Sequence, residues 1–168
     1  MILVALGANL PDPRYGSPRA ACETALARLT ASAPVTIQAR APWYESAPQP
    51  PSDQPWYVNG MVRLTTSLGP EALLDALLAV EAEMGRRRRV VNEARVIDLD
   101  LIDYDGLVRD PPARPVLPHP RLGARGFVLR PIADLAPDWR HPVDGRSVAD
   151  LLAALPVDSS LRRLDDRG

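Results

Sequence analysis

Two aspartates, Asp98 and Asp100, are spaced so that both carboxylates point to one side of a predicted strand. Residues i and i+2 of a strand share a face and lie about 6.6 Å apart along the chain, so Ile97, Leu99 and Leu101 alternate toward the core. Like charges in such positions repel each other, and a sheet favours them where a cation lies between them. A pair of Mg²⁺ ions fits two such carboxylates, and the alternative is a solvated face at a sheet edge.

Arginines surround these aspartates in the sequence. Four of them run consecutively over 86–89, Arg95 precedes the strand, and Arg121 and Arg125 follow it. Such clusters are most often solvated surface, but beside a metal–carboxylate pair the guanidinium groups can hold phosphate oxygens. All 20 basic residues are arginines, which excludes a P-loop lysine and Schiff-base chemistry through lysine. The combination indicates chemistry on a nucleoside triphosphate.

One histidine, several aromatic residues and one asparagine complete the candidates. His119 lies in Pro118-His119-Pro120-Arg121, a rigid frame among arginines that favours a phosphate contact over an incidental position. Asn59 offers donors and acceptors suited to the edge of a heterocycle, although an ordinary surface position explains it equally well. Aromatic residues near predicted strand ends supply flat faces for stacking, although such residues are more often core. They are Trp43, Tyr44, Trp56, Tyr57 and Phe127.

The elements that position these residues follow from hydrophobic periodicity. A continuous apolar run predicts a first strand covered on both faces, and alternating patterns predict three more strands. Proline and Gly85 delimit the predicted helices. The elements are strands at 1–6, 35–41, 57–66 and 96–104, and helices at 17–29 and 70–84. Their β-α-β-β-α-β order predicts an α+β fold, a ferredoxin-like antiparallel sheet with helices on one face.

The remainder of the chain is predicted to be a C-terminal extension of this sheet. It begins with a proline-rich loop at 110–120 and continues with helices near 127–135 and 148–155. A second proline-rich segment, 46–54, interrupts the sheet and is predicted to be a stiff, irregular loop.

Length and composition limit the class of protein. With 168 residues, 46% of them hydrophobic, and a net charge of −1, we expect a single domain over residues 1–168. The near-neutral charge argues against nucleic-acid or membrane binding, and the sequence has neither a membrane-span pattern nor a leader pattern. The lone Cys22 excludes an intrachain disulfide, and only two histidines exclude a multi-histidine metal centre. We expect a cytoplasmic, monomeric protein.

Several of these segments together form a specific series. They are Leu6-Gly7-Ala8-Asn9-Leu10, Tyr57-Val58-Asn59, the E-x-x-x-G-R pattern of 81–86, Arg95-Val96-Ile97-Asp98-Leu99-Asp100, Pro118-His119 and Arg125-Gly126-Phe127. In this order and spacing they resemble the 6-hydroxymethyl-7,8-dihydropterin pyrophosphokinases of folate biosynthesis, over most of the chain. The resemblance implies a ferredoxin-like fold and an enzyme that transfers a pyrophosphoryl group from ATP to the pterin's hydroxymethyl oxygen, with AMP as the other product.

The resemblance also implies a role for each matching position. Two Mg²⁺ ions bridging the triphosphate would be ligated by Asp98 and Asp100. The residues implied in catalysis are Arg86, Arg95, Arg125, Asp98 and Asp100. Those implied in ATP binding are Glu81, Arg88, Arg95, Leu101, His119 and Arg125. Those implied in pterin binding are Ser46, Ala47, Gln49, Tyr57, Asn59 and Phe127.

Two other functions remain open from the residues alone. A ferredoxin-like RNA-binding module would stack bases on sheet aromatics and hold phosphates with arginines, but the paired aspartates argue against it. A non-catalytic ligand-sensing domain of the same fold would bind the same small molecules without turnover. The partners that the resemblance implies are ATP and the hydroxymethyldihydropterin, and we expect no nucleic-acid or membrane partner.

Overall fold

The computed structural model describes residues 1–85, 96–157 and 160–165. The elements are β1 (Ile2–Ala8), α1 (Pro18–Ser32), β2 (Val35–Arg40), β3 (Tyr44–Ser46), β4 (Tyr57–Thr66), α2 (Pro70–Glu83), β5 (Asp98–Tyr104), a 3-10 turn (Leu122–Ala124), α3 (Gly126–Leu135), α4 (Val148–Ala154) and β6 (Arg162–Arg163). Within these residues no helix is both long and apolar enough to cross a membrane. The chain is α+β, and the short strands β3 and β6 are additional to the predicted elements.

Local signals in the sequence explain where the two long helices begin and end. The Ser17 side chain accepts a hydrogen bond from the Ala20 N–H, and Pro18 occupies the first turn of α1. Pro70 likewise occupies the first turn of α2. Gly85 follows α2 with a φ of +86°, a left-handed conformation that glycine adopts without strain. The predicted stop at Gly85 is confirmed.

All strand pairs in the sheet are antiparallel, and the strand order is β5-β1-β4-β3-β6. The short β2 also pairs with β4, so β2 and β3 follow each other along the same edge of β4. In this register Gly7 of β1 lies opposite both Asp98 of β5 and Asn59 of β4. Tyr44 of β3 lies opposite Asn59 on the other side of β4. One row of residues therefore crosses four strands at the end where β1 finishes.

The sheet is covered on both faces. Val4 packs with Leu26 of α1 and Leu77 of α2 in one core, whereas Leu3 packs with Ile132 of α3 and residues of α4 in the other. Leu3 and Val4 are both fully buried, as the continuous apolar run predicts. The sequence predicted helices on one face, where α1 and α2 lie. The C-terminal extension is apolar enough to form a second layer, so α3 and α4 cover the opposite face.

On the face that α3 covers, a bulge in β5 separates the buried Ile102 and Asp103 from the half-buried Asp98 and Asp100. The register with β1 shifts so that Ile102 is the extra residue. Leu101 packs in the α1–α2 core, and Ile102 packs in the α3–α4 core. Beyond the bulge, the buried Asp103 carboxylate accepts a hydrogen bond of 2.8 Å from Trp139 Nε1. The face that α3 covers is thus buried beyond the bulge, and half-buried and polar before it.

Candidate active site

The paired aspartates lie on the polar part of the face that α3 covers. Asp98 and Asp100 are half-buried, whereas Leu99 and Leu101 are buried in the opposite core. Asp98 lies opposite Gly7 in the antiparallel register. The period of two therefore directs both carboxylates to one surface, as their spacing predicts.

Gly7 leaves a bare patch of sheet between the charged and the neutral candidates. It stands between Asp98 and Asn59 in the register, and a Cβ atom at this position would lie 3.9 Å from Asn59 Oδ1. The missing side chain thus belongs to the same surface as Asn59. In the sequence Gly7 was noted only as part of the series Leu6-Gly7-Ala8-Asn9-Leu10, although a glycine closing an apolar run also signals a close backbone approach.

His119 and Arg125 lie within electrostatic reach of Asp98. Burial, followed by the positive charges of Arg125 and Arg121, lowers the pKa of His119 from 6.5 to about 4, while Asp98 opposes this shift. The Arg121 N–H donates a 3.2 Å hydrogen bond to His119 Nδ1. A neutral ring that accepts at Nδ1 carries its proton at Nε2, so His119 offers a neutral donor beside a guanidinium.

Arg125 links the charged side of the surface to the aromatic side. It is the residue directly before α3, and its guanidinium carbon lies 5.5 Å from the centre of the Phe127 ring. Phe127 is half-buried and packs against the α3–α4 core. A cation and a flat ring are therefore presented together at the first turn of α3.

The neutral candidates are joined by hydrogen bonds at the β3–β4 edge. Asn59 is 5% exposed, and its Nδ2 donates a 2.8 Å bond to the buried Ser46 Oγ. Tyr57 lies opposite Ser46 and shares a strand face with Asn59. The Tyr57 hydroxyl donates a 3.4 Å bond to Gln54 Oε1. Ala47 is half-buried and Gln49 is exposed in the loop that follows β3.

Asn9 holds the segment before Tyr57 in place, although in the sequence it was noted only within the series Leu6-Gly7-Ala8-Asn9-Leu10. It is almost fully buried, and its Nδ2 donates bonds of 3.2 Å to Gln54 Oε1 and 3.1 Å to the Pro55 carbonyl. These bonds tie the segment before Tyr57 to the end of β1. The signal was available, because a polar residue directly after an apolar strand often makes such a contact.

Two further aromatic candidates, Trp43 and Tyr44, are packed in the protein interior. Trp43 packs in the α1–α2 core against Gly60, where a Cβ atom would lie 2.4 Å from its ring. Tyr44 is buried, and its hydroxyl donates a 2.6 Å bond to Asp134 of α3. Burial and this bond raise the pKa of Tyr44 to about 12. Both residues are core, as aromatic residues at strand ends most often are.

Glu81 and Leu101, implied as nucleoside contacts, are both buried. Glu81 is 2% exposed, and its Oε1 accepts a 2.7 Å hydrogen bond from the Leu99 N–H at the outer edge of β5. The Leu101 side chain packs in the α1–α2 core. A contact between Leu101 and a nucleoside would therefore come from the backbone of Leu101, and its implied role in ATP binding stays a prediction. Glu81 fixes the edge of the strand that carries the aspartates, and its implied role near the nucleoside stays a prediction as well.

Three arginines of the expected site lie outside the described residues. They are Arg86, Arg88 and Arg95, all within 86–95. Of the other implied residues, two groups come together on one sheet face, a charged group on β5 and at the start of α3, and a neutral group on β3 and β4. Gly7 lies between them in the register.

Comparisons with known proteins place the chain among its relatives. Residues 3–137 match the family model for 7,8-dihydro-6-hydroxymethylpterin-pyrophosphokinase. The chain is 45% identical over 157 residues to the 2-amino-4-hydroxy-6-hydroxymethyldihydropteridine pyrophosphokinase of Pseudomonas aeruginosa, covering 94% of this chain and 93% of that protein. It is 37% identical over 151 residues to the protein of the same name from Methylorubrum extorquens, covering 89% and 90% of the two chains.

A solved structure supports the fold. The HPPK-DHPS protein of Plasmodium falciparum matches with a TM-score of 0.65 at 13% identity, covering 90% of this chain and 42% of that one. At this identity the likeness concerns the fold alone. The sequence matches decide the family: the chain belongs to the 7,8-dihydro-6-hydroxymethylpterin pyrophosphokinases.

Proposed function

We propose that the polar surface under α3 is where this chain carries out the reaction of its family. The chain transfers pyrophosphate from ATP to 6-hydroxymethyl-7,8-dihydropterin, giving AMP and the pterin diphosphate, in folate biosynthesis. One observation carries the assignment of the site: Asp98, Gly7 and Asn59 form one row across the sheet. A charged group suited to a triphosphate therefore lies beside a neutral group suited to a heterocycle.

The donor set on β5 fits Mg²⁺ that is shared with a substrate. Among the residues that the structure describes, no three His, Cys, Asp or Glu side chains could hold a metal ion together. Asp98 and Asp100 supply two carboxylates, and Mg²⁺ is typically bound by one or two carboxylates with phosphate and water oxygens completing its shell. We propose two Mg²⁺ ions at this pair. When bound, they neutralise phosphate charge and align the triphosphate for in-line displacement.

His119 and the arginines are proposed to hold the triphosphate oxygens. His119 donates from Nε2 without adding charge, because its pKa of about 4 keeps the ring neutral at pH 7. Arg125 adds a guanidinium that can bind two phosphate oxygens at once. Arg86, Arg88 and Arg95 keep the same proposed role from the sequence.

The outer edge of β5 is proposed to meet the nucleoside. In an antiparallel strand the N–H and C=O of one residue point to the same side, and this side alternates along the strand. The Leu99 N–H points outward to Glu81, so the backbone groups of Leu101 are expected to point outward as well. Leu101 can therefore offer hydrogen bonds to a base, and Glu81 keeps this edge in position.

The neutral group is proposed to bind the pterin. The Tyr57 and Phe127 rings stack on its two faces, and the Asn59 amide bonds its edge, with its orientation fixed by Ser46. Ala47 and Gln49 contribute from the loop after β3. The bare surface of Gly7 lets the hydroxymethyl arm approach the triphosphate.

In the proposed step the pterin hydroxymethyl oxygen attacks the β-phosphorus of ATP. A bond forms between this oxygen and the β-phosphorus, the bond from the β-phosphorus to the oxygen bridging it to the α-phosphorus breaks, and AMP leaves with that oxygen. The hydroxyl proton is released, with Asp98 or Asp100 as the side chains able to accept it. Because the chain's residues mainly position and stabilise charge, we expect catalysis to depend on geometry and electrostatics.

Two further proposals concern the topology of the sheet and the oligomeric state of the protein. We infer a ferredoxin-like core, supported by the strand order β5-β1-β4-β2 around the β-α-β-β-α-β elements. We also propose that the protein is a cytoplasmic monomer, as expected from its sequence. Light scattering at working concentration measures this state directly, and a dimeric mass contradicts it.

An AMP-release assay tests the function. With Mg²⁺, ATP and the reduced hydroxymethylpterin we expect AMP and the pterin diphosphate in equal amounts, and no AMP when the pterin is omitted. A ligand-sensing domain would bind both molecules and release no AMP. An RNA-binding module would instead give a salt-sensitive shift with RNA.

A further inference from the structure

The C-terminal segment 160–165 returns to the candidate pterin site from beyond the part of the chain that matches the family, which ends at residue 137. Its strand β6 pairs with β3, with Arg162 opposite Glu45 and Arg163 opposite Tyr44. The Leu164 N–H also donates a 2.8 Å bond to the Trp43 carbonyl. The strand that carries Ser46 is therefore paired on both edges.

Arg162 packs on the segment that leads into Tyr57. Its guanidinium carbon lies 4.5 Å from the centre of the Trp56 ring, a cation–π contact on a side chain that is 36% exposed. The same segment is held from the other side by Asn9, which bonds Pro55. Residues 54–56 are thus fixed between the end of β1 and β6.

Leu161 packs on the first turn of α3. A Cβ atom at Gly126 would lie 3.5 Å from Leu161 Cδ2, and Gly126 directly precedes Phe127. Two neighbouring residues of the C-terminal segment, Leu161 and Arg162, therefore contact the residues next to Ser46, Tyr57 and Phe127. These contacts reach both proposed walls of the pterin site.

We propose that β6 is a positioning element of the pterin site, and that Arg162 is its principal positioning residue. By stacking on Trp56 while its backbone pairs with β3, Arg162 fixes Tyr57 relative to the Ser46–Asn59 pair. Leu161 sets the position of Phe127 from the same segment. The inference rests on the proposed placement of the pterin between Tyr57 and Phe127.

The test compares Arg162→Ala with Arg163→Ala, its neighbour on the opposite face of β6. Calorimetry measures the pterin Kd in the presence of Mg²⁺ and a non-hydrolysable ATP analogue, and the analogue Kd separately. We expect Arg162→Ala to weaken pterin binding about two- to fivefold, the size of one exposed cation–π contact. The nucleotide Kd and the Arg163→Ala variant should stay at wild-type values, and Arg162→Lys should lie between.

A chain ending at Val157 removes the whole strand and gives a second, larger change. We expect its pterin Kd to rise about tenfold or more, since the losses of the Trp56, β3 and Gly126 contacts combine. Its melting curve reports whether it folds. If it does not fold, the point variants decide the question alone.

Three outcomes overturn the proposal, and a fourth concerns the site itself. Equal pterin Kd values for Arg162→Ala and Arg163→Ala overturn it. So does an equal loss of pterin and nucleotide affinity, which would indicate a general structural role, or a truncated chain that folds and binds pterin normally. Tyr57→Ala separates the two levels: if it too leaves pterin binding unchanged, the placement of the pterin is wrong, rather than β6 alone.

Discussion

The two sides of the polar surface under α3 are built on different principles. On the β3–β4 side the groups are neutral and bind each other, as Asn59 does Ser46. On the β5 side the groups are charged: Asp98 and Asp100 share one strand face, and both Asp98 and Arg125 lie near enough to His119 to shift its pKa. One side is assembled by its own hydrogen bonds. The other is arranged for charges that arrive with the substrate.

This difference separates stability from turnover. A buried neutral hydrogen bond stabilises the folded chain whether or not a ligand is present. Two carboxylates on one strand face repel each other, and a cation bound between them relieves the repulsion. Substitutions on the β3–β4 side should therefore cost stability and pterin affinity together, and the main loss from substitutions at the β5 carboxylates should be in turnover.

The largest effect is expected at the carboxylates. Asp98→Asn or Asp100→Asn should lower kcat about 100-fold or more, because Mg²⁺ loses a ligand where phosphate charge must be neutralised. Mg-ATP should raise the Tm of these variants less than it raises the Tm of the wild type. Steady-state AMP release and thermal melting, with and without Mg-ATP, measure the two quantities.

Asp75→Asn is the matched control, since Asp75 is exposed on α2. It should leave both kcat and the Mg-ATP-induced rise in Tm unchanged. Near-normal turnover in either β5 variant would remove that aspartate from the site.

Asn59→Ala tests the neutral side. It removes a buried amide and leaves the Ser46 hydroxyl without this partner, so it should cost about 1–3 kcal/mol of stability. Pterin affinity should fall by about tenfold, since the edge of the heterocycle loses its hydrogen bonds. Denaturant unfolding and calorimetry measure the two effects, with Thr65→Ala at the exposed far end of β4 as control. A loss of affinity with full stability would contradict the proposed preassembly.

The pH dependence of stability tests the burial of His119. Its folded pKa of about 4 lies below the 6.5 of the free side chain, so the neutral ring stabilises the fold above pH 6.5. That contribution is lost as the pH falls from 6.5 toward 4, by about 1–3 kcal/mol in all. Unfolding free energies measured across this window should fall less steeply for His119→Gln than for His141→Gln, which removes the other imidazole. Equal slopes would contradict the shift.

Gly7→Ala should give the smallest change and sharpen the boundary between the two sides. The added methyl group has ordinary room beside Asn59 Oδ1, so Tm should stay equal or rise by the equivalent of about 0.4–1 kcal/mol. Turnover should fall several-fold, because the methyl group stands between the bound pterin and the triphosphate. Gly69→Ala, at the residue before α2, controls for the substitution type. Full activity in Gly7→Ala would mean that no substrate crosses this patch.

Periodicity predicted most of the fold. The strand at 57–66 coincides with β4, and the apolar run at the N-terminus gave β1 with both faces buried. The strands β3 and β6 were missed because segments of three and two residues carry no periodicity, and only their pairing with neighbours defines them. The helices at 127–135 and 148–155 were predicted, but the sheet face they cover depends on long-range packing.

The candidate site was predictable where the alternation of side chains along a strand determines which face they point to. The i, i+2 spacing was sufficient to bring Asp98 and Asp100 to one surface. The contribution of Gly7 depends on which strands stand on either side of it, which local sequence does not encode. Leu101 was implied in ATP binding by the resemblance alone. Its side chain packs in the α1–α2 core, which local sequence does not reveal.

The Glu81 carboxylate has a consequence for how copies of this protein meet. β5 is the outermost strand on its side of the described sheet. The outer backbone groups of such an edge strand can pair with a strand of another molecule. Glu81 already accepts the Leu99 N–H, and its side chain is almost wholly buried at that edge. A second β5 that approached edge to edge would have to displace this carboxylate first. The side chain therefore protects the protein against strand addition and aggregation beside the carboxylate pair.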